Sequence, residues 1–303
     1  MQTTAIETEG QLDWNTIDWR TVNWRVRNLR QRIFKAERKG ERRKVRSLQQ
    51  LMLRSYSNTL QSVRRVTQQN HGKHTPGVDK LIVKTPAARL RLVAQLHHAQ
   101  VWRASPVRRV FIPKQNGKLR PLGIATIADR AMQARVKNAL EPQWEARFEP
   151  RNYGFRPGRS AHDAIEAIFN LAKPQSRRKW VVDTDLKSAF DNINHDYLLT
   201  ILADFPAKSL IKQWLKAGVM ENDTLYATLS GAPQGGPISP LLLNITLHGM
   251  EAALGSRRYC NGILAPTSRA VLRYADDLVR HEAYVEHGAQ VPAAGRRAAS
   301  LSP

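Results

Sequence analysis

The chain has 303 residues, enough for one large domain or two smaller ones around a sizeable core, and its 42% apolar and 24% charged residues are ordinary for a globular protein. Its 48 Lys and Arg against 25 Asp and Glu leave a formal net charge of +23 and a pI near 10.8, which favours a polyanionic partner, nucleic acid being the commonest. The single cysteine, Cys260, excludes a disulfide framework and a Cys-rich zinc site, and no apolar run approaches the roughly 20 residues of a membrane span. The polar start, Met1 to Gln11, reads as neither signal nor transit peptide, so a cytoplasmic protein is expected.

Trp14, Trp19 and Trp24 lead into a basic segment in which Arg25, Arg27, Arg30 and the bases up to Arg46 face only Glu37 and Glu41. Val26, Leu29, Ile33 and Phe34 recur at helical spacing, and so do Val45, Leu48, Leu51, Met52, Leu60, Val63 and Val66, which predicts two basic amphipathic helices broken near Gly40. Salt-bridged helices interleave both signs. This run does not, so phosphate contact is favoured over a merely solvated face.

His71 to Asp79 is a loop by its Gly and Pro content, and a helix is expected from about Pro86 to Ala99. Val107 to Pro113 and Leu119 to Ile124 read as strands joined by a turn at Gln115-Asn116-Gly117-Lys118. Asp129 to Leu140 reads as a helix ending before Pro142, and the loop Tyr153 to Ser160 precedes another at Ala161 to Leu171. A strand at Trp180 to Leu186 is followed by helices from His195 and from Ala207 to Ala217, then a short strand at Tyr226 to Leu229. The loop Gly231 to Pro240 leads to a helix, Leu241 to Leu254, and a last strand, Ala270 to Tyr274, ends at Asp276-Asp277. With no repeat and no regular βαβ alternation, the class is α+β.

Three carboxylates stand at strand ends in a chain otherwise short of acid: Asp185 after Trp180-Val181-Val182, and Asp276 and Asp277 after Val271-Leu272-Arg273-Tyr274-Ala275. Carboxylates brought together repel, and desolvation worsens the repulsion. Mg²⁺ relieves both, because it takes hard oxygen ligands and keeps positions for water and phosphate. Two such ions about 4 Å apart can stabilise the attacking and leaving oxygens of a displacement at phosphorus. By itself Tyr-x-Asp-Asp is a weak signal, with an Asp-Asp turn as the bland alternative.

The order and spacing of the longer motifs resemble the reverse transcriptases encoded by mobile group II introns, the intron maturases. The likeness is carried by RSYSNTLQSVRRVTQQNHGKHTPGVD, VFIPKQNGKLRPLGI, NYGFRPGRSAHDAI, DTDLKSAFDNINHDYLL, APQGGPISPLLLNI and RYADD, over roughly residues 12 to 279. It implies the fingers and palm of a right-hand polymerase with an antiparallel palm sheet. A basic helical extension would occupy residues 1–80, fingers 81–180 and palm 181–280.

It also implies RNA-directed DNA synthesis, with Asp185, Asp276 and Asp277 holding two Mg²⁺ ions, and an RNA template, DNA primer, dNTPs and intron RNA as partners. Lys118 and Arg120 would contact the triphosphate, Arg with its planar fork. Phe190 would lie beneath the incoming sugar and exclude a 2′-hydroxyl. Gln234-Gly235 would admit close backbone approach to the nucleotide. Arg25, Arg27, Arg30, Arg64, Arg65, Arg156 and Arg159 would meet nucleic acid.

After Val279 the likeness is expected to fail, leaving the second arm of the catalytic hairpin compromised and residues 281–303 as an unrelated, disordered tail. A truncated or frameshifted copy would explain this. A splicing helper that binds RNA without chemistry and an inert remnant of a mobile element stand as alternatives. Viral RNA-dependent RNA polymerases and retron-type enzymes fit the motifs less well.

Overall fold

The computed structural model describes residues 13–282 apart from 100, 114–116, 174–175, 177, 179, 261 and 266–267. The expected turn at Gln115-Asn116 and the tail from 283 onward lie outside these residues.

The N-terminal region is helical. Asp18 caps α1 (Trp19–Arg38) by accepting the Arg20 and Thr21 amides, and α1 buries Val22, Val26, Ile33 and Ala36 on one stripe. Gly40, at φ 71°, supplies the left-handed residue that ends this helix, as expected. The periodic run that follows is broken a second time, because Ser55 turns extended and caps a new helix. There are thus three helices where two were expected: α2 (Arg42–Arg54) and α3 (Tyr56–Arg64) follow α1. Leu51 stays half exposed beside the break.

After α4 (Pro86–His98), these helices close on α5 (Ile127–Glu145), which is buried on nearly every side. α5 runs through Pro142, where the sequence reading ended it. Proline there removes one backbone hydrogen bond, and burial of Ala139, Leu140 and Trp144 on both sides of it outweighs that cost. Arg135 is buried on α5 and donates to the carbonyls of Leu53 and Leu96 at 2.6 and 2.5 Å, stitching α2 and α4 to the central helix. Burial lowers its pKa to about 10.

Two sheets flank this core. β1 (Val107–Pro113) and β2 (Leu119–Ile124) form the expected antiparallel hairpin. β4 (Val219–Glu221) joins β1 in parallel and pairs with β5 (Thr224–Tyr226), giving the order β2-β1-β4-β5. The β4–β5 hairpin replaces the strand expected at Tyr226 to Leu229. Asn222 and Asp223, at φ 48° and 60°, make its two-residue turn, a signal the sequence carried and the reading passed over.

The second sheet is antiparallel in the order β3-β7-β6, formed by β3 (Trp180–Asp185), β6 (Ala270–Tyr274) and β7 (Asp277–Glu282). α6 (Ala161–Ala172), opened by a Ser160/Asp163 capping box, packs on β6, while α7 (His195–Ile201) and α8 (Lys208–Lys216) add to the main helical core. The helix expected over Leu241 to Leu254 is interrupted: α9 (Ser239–Thr246) and α10 (Met250–Ala253) are separated at Gly249, φ 94°. Met250, Leu254, Val271, Leu278 and Leu186 form a small core beneath the second sheet.

Candidate active site

Register decides which side chains share a face of the second sheet. Asp185 lies opposite Asp277 in the β3–β7 ladder, and Tyr274 opposite Asp277 in the β6–β7 ladder, so Ala275 and Asp276 form the two-residue turn. Because side chains alternate along a strand, Asp183 and Asp185 project from one face of β3 with Asp277 beside them. Asp185 and Asp277 are therefore brought side by side, with Asp276 in the adjoining turn. Asp183 joins them, a neighbour that its two-residue offset from Asp185 made readable.

The expectation of a compromised second arm is overturned. β7 is a full strand, paired to β6 from Asp277 to His281 and to β3 from Asp277 to Glu282. Backbone pairing to strands on both sides completes the hairpin through Val279 to Glu282, although Arg280, His281 and Glu282, all three buried in succession, made the segment look foreign. Arg280 and Glu282 pair with each other at 2.8 Å, which offsets the cost of burying them.

Burial, and then the charges of Asp276, Asp185 and Asp183, raise the pKa of Asp277 above the usual carboxylate value. Among the described residues no three His, Cys, Asp or Glu side chains converge closely enough to hold a metal ion alone. The donor set still fits Mg²⁺. It is a strand-aligned group of hard oxygens carrying uncompensated repulsion, and Mg²⁺ commonly uses one or two carboxylates and fills its shell with water and phosphate.

The turn is held from beneath. Ala275 sits at φ 60°, a left-handed conformation that costs a non-glycine residue on the order of 1 kcal/mol. Arg273, 3% exposed, donates to the Ala275 carbonyl at 3.2 Å and to Asn244 Oδ1 at 2.9 Å. Its backbone is tied as well: Arg273 N–H donates to the Arg151 carbonyl and Tyr153 N–H to the Arg273 carbonyl, at 2.9 and 2.8 Å. Desolvation lowers the Arg273 pKa to about 10. The sequence reading missed this residue, although a charge inside the apolar run Val271-Leu272-Arg273 was its signal.

Other expected site residues are joined to the sheet through loops. Leu186 N–H donates to the Asp276 carbonyl at 3.1 Å, and the chain then turns to the half-buried Phe190. Ala232 N–H donates to the Phe190 carbonyl at 2.8 Å, and Gly123 N–H to the Gln234 carbonyl at 2.7 Å. A Cβ on Gly235 would come within 3.0 Å of the Gly123 carbonyl oxygen, so this loop needs glycine to lie against β2. β2 carries Arg120, exposed at the register position opposite Ile112, and Lys118 is exposed just before it.

The arginines divide. Arg25, Arg27 and Arg65 are exposed, and Arg30 and Arg64 are half buried. Arg30 is engaged with Glu141 at 2.5 Å and Asn138 at 3.2 Å, while the Arg64 guanidinium stacks over Trp19 at 4.3 Å. Arg156, expected to meet nucleic acid, is buried instead, paired with Glu145 at 2.8 Å and donating to the Glu149 and Asn152 carbonyls. Burial with a nearby carboxylate and two carbonyls makes it a structural clasp for the loop. Arg159 donates to the Pro150 carbonyl and lies 5.2 Å over the Tyr153 ring.

No helix among the described residues is long and apolar enough to cross a membrane. Residues 112–290 match the family described as reverse transcriptase (RNA-dependent DNA polymerase), and residues 14–96 match the N-terminal domain of reverse transcriptase. The first match continues past Val279, where the likeness was expected to fail. Protein YkfC of Escherichia coli (strain K12) is 39% identical over 208 residues, covering 65% of this chain and 54% of that protein. Group II intron-encoded protein LtrA of Lactococcus lactis subsp. cremoris is 38% identical over 188 residues, covering 60% of this chain and 31% of LtrA.

Matched to these relatives, the chain spans about half the length of one and a third of the other. A solved structure, the partial Cas6-RT-Cas1–Cas2 complex, has a chain with TM-score 0.44 and 22% identity, covering 77% of this chain and 38% of that one. With more than half of its length matched to one family, this chain belongs to the reverse transcriptases, the RNA-dependent DNA polymerases.

Proposed function

We propose that the chain catalyses RNA-templated addition of deoxynucleotides to a primer 3′-hydroxyl, with Asp185, Asp276 and Asp277 as the catalytic carboxylates. The observation that carries this reading is the register of the second sheet, which sets Asp185 directly opposite Asp277 with Asp276 in the adjoining turn. Binding alone would not need acids clustered in so basic a chain. Two Mg²⁺ ions held by these carboxylates would supply charge neutralisation and lower the pKa of the primer hydroxyl.

The chain's own residues do the positioning. Arg273 and Asn244 fix the turn, so the carboxylates are placed before substrate arrives, and preorganisation of this kind is what phosphoryl transfer asks of a protein. Lys118 and Arg120 lie on the fingers hairpin, where cationic side chains would bind triphosphate oxygens. Phe190 would exclude a ribose 2′-hydroxyl and so select deoxynucleotides. The peptide backbone around Gln234-Gly235 would border the nucleotide, with Gly235 leaving room for close approach.

Residues 1–80 serve as an RNA-binding extension, 81–180 as fingers and 181–280 as palm in this reading. The likeness to an intron-encoded protein supports intron RNA as the natural partner. The test is single-nucleotide extension of a primer annealed to RNA, with Mg²⁺ and dNTPs. Asp185→Asn is expected to lower the rate by on the order of a thousandfold while leaving the melting temperature within a few degrees. Extension at the wild-type rate by this variant contradicts the assignment.

A further inference from the structure

His195 opens α7, and its side chain is buried, 5% exposed. The helix start is fixed by Asn194, whose side chain accepts the Tyr197 amide at 2.9 Å. From there the imidazole Nε2 lies 2.7 Å from the Gly231 carbonyl oxygen. A carbonyl can only accept, so Nε2 carries the proton and donates. The other ring nitrogen, Nδ1, is buried with no hydrogen-bond partner among the described residues. An apolar side chain of similar size would fill this place without stranding a polar atom. What histidine adds is the one hydrogen bond to Gly231.

Gly231 belongs to a strip that leads to Gln234-Gly235 and lies hard against the chain that carries Phe190. Its N–H donates to the Ile193 carbonyl at 2.8 Å, and Ala232 N–H donates to the Phe190 carbonyl at 2.8 Å. Ser230 Oγ donates to the Asp191 carbonyl at 3.1 Å. A Cβ on Gly231 would come within 2.9 Å of the Asp191 carbonyl oxygen and 3.0 Å of that of Phe190, and its φ of 86° favours glycine as well. At the far end, the Gly123 N–H to Gln234 carbonyl bond ties the strip to β2, the strand that carries Arg120. The strip is thus fixed at both ends, and His195 locks the first from the buried side.

We propose that His195 is a positioning residue for sugar selection: through the Gly231 carbonyl it holds the 230–234 strip against the Phe190 backbone, and so fixes where the Phe190 ring stands relative to the incoming sugar. The inference rests on the roles proposed for Phe190 and Gln234-Gly235, and adds a residue that acts on the nucleotide only through them. Loosening the strip lets Phe190 retreat. A ribose 2′-hydroxyl is then admitted, while the deoxynucleotide loses part of its fit. Asp185, Asp276 and Asp277 keep their sheet register.

The experiment measures kcat and KM for dTTP and for UTP in single-nucleotide extension of a primer on RNA with Mg²⁺, for the 303-residue chain, His195→Leu and His195→Gln. Leucine fills the space without a donor, and glutamine restores an N–H at a similar reach. His195→Leu is expected to lower the dTTP-to-UTP ratio of kcat/KM by roughly tenfold, the worth of about one hydrogen bond, mainly by raising KM for dTTP. His195→Gln is expected to recover most of the ratio. An unchanged ratio in a folded His195→Leu chain, or a glutamine variant no better than the leucine one, overturns the proposal.

A second measurement depends neither on the leucine variant folding nor on turnover. Proton–nitrogen NMR of the unsubstituted chain, with the His195 signals identified by their loss in His195→Gln, should place a ring proton on Nε2. A proton on Nδ1 alone overturns the proposal. Binding of dTTP and UTP to the chain on a dideoxy-terminated primer separates this inference from the one beneath it. A chain that prefers dTTP in binding, loses that preference in His195→Leu and adds no nucleotide to an ordinary primer would sink only the polymerase reading. A chain that extends primers with the same dTTP preference after His195→Leu would sink only this one.

Discussion

Gly154 lies so close to Ala275 that a Cβ on Gly154 would come within 2.2 Å of the Ala275 amide nitrogen. The loop before α6 and the turn bearing Asp276 are thus in backbone contact, with Asn244 Nδ2 donating to the Gly154 carbonyl at 2.9 Å from the same helix that receives Arg273. Gly154→Ala must push the turn or the loop aside. Shifts near 1 Å at a reacting centre can cost on the order of a hundredfold in rate. A steady-state assay should find that loss mainly in kcat, with the far-ultraviolet circular dichroism spectrum unchanged.

Arg273 is predicted to act as a positioning residue through the turn. Arg273→Lys keeps the charge but cannot reach Asn244 and the Ala275 carbonyl together, leaving buried groups unpaired. A loss of about 1–3 kcal/mol in urea unfolding is expected. In a double-mutant cycle with Asn244→Ala the two changes should be non-additive, since they share one network. Full additivity would mean that the contact contributes nothing.

Asp277→Asn separates stability from function. The raised pKa of Asp277 means that its charged form is disfavoured in the folded state, a penalty fully present above the raised value. The penalty fades as pH falls through the raised value toward the ordinary one of 3.8. In EDTA near neutral pH the variant should therefore melt slightly above the wild type, and the gap should close on acidification through that window. Added Mg²⁺ should raise the wild-type melting temperature more than the variant's. A variant that melts lower than wild type in EDTA at neutral pH would refute this electrostatic account.

Asp129 is a fourth target. It is buried and accepts from the Trp102 and Trp214 indoles at 2.9 and 3.0 Å, and from the Ser105 amide and Thr126 hydroxyl at 3.0 Å each. It joins α5, α8 and the segment entering β1. Asp129→Ala leaves four donors without their acceptor and is expected to cost about 2–4 kcal/mol, read by urea unfolding followed through tryptophan fluorescence.

The sequence made some of these features legible and hid others, for physical reasons. β1, β2, α7 and α8 were readable because apolar alternation or periodicity ended at clear turn residues. The three aspartates were readable as charges at the ends of apolar strands. Pro142 misled because a local rule ends a helix where tertiary burial continues it. Arg156 misled because a surface-type residue in a Gly-rich loop gave no sign that the chain folds back onto Glu145 at the end of α5. β7 was missed because Arg280, His281 and Glu282 look polar in isolation, and only pairing with β3 and β6 explains their burial. The Arg273–Asn244 and His195–Gly231 hydrogen bonds are made across more than 20 residues of chain, which periodicity does not report.

The central claim is that the carboxylates facing each other across the second sheet perform nucleotide addition. Its most direct test is primer extension on an RNA template with dNTPs and Mg²⁺, comparing the 303-residue chain with Asp276→Ala. Incorporation by the chain that vanishes in the folded variant is the predicted result. No incorporation from a chain shown to be folded and to bind RNA, or equal incorporation by both proteins, would contradict the account.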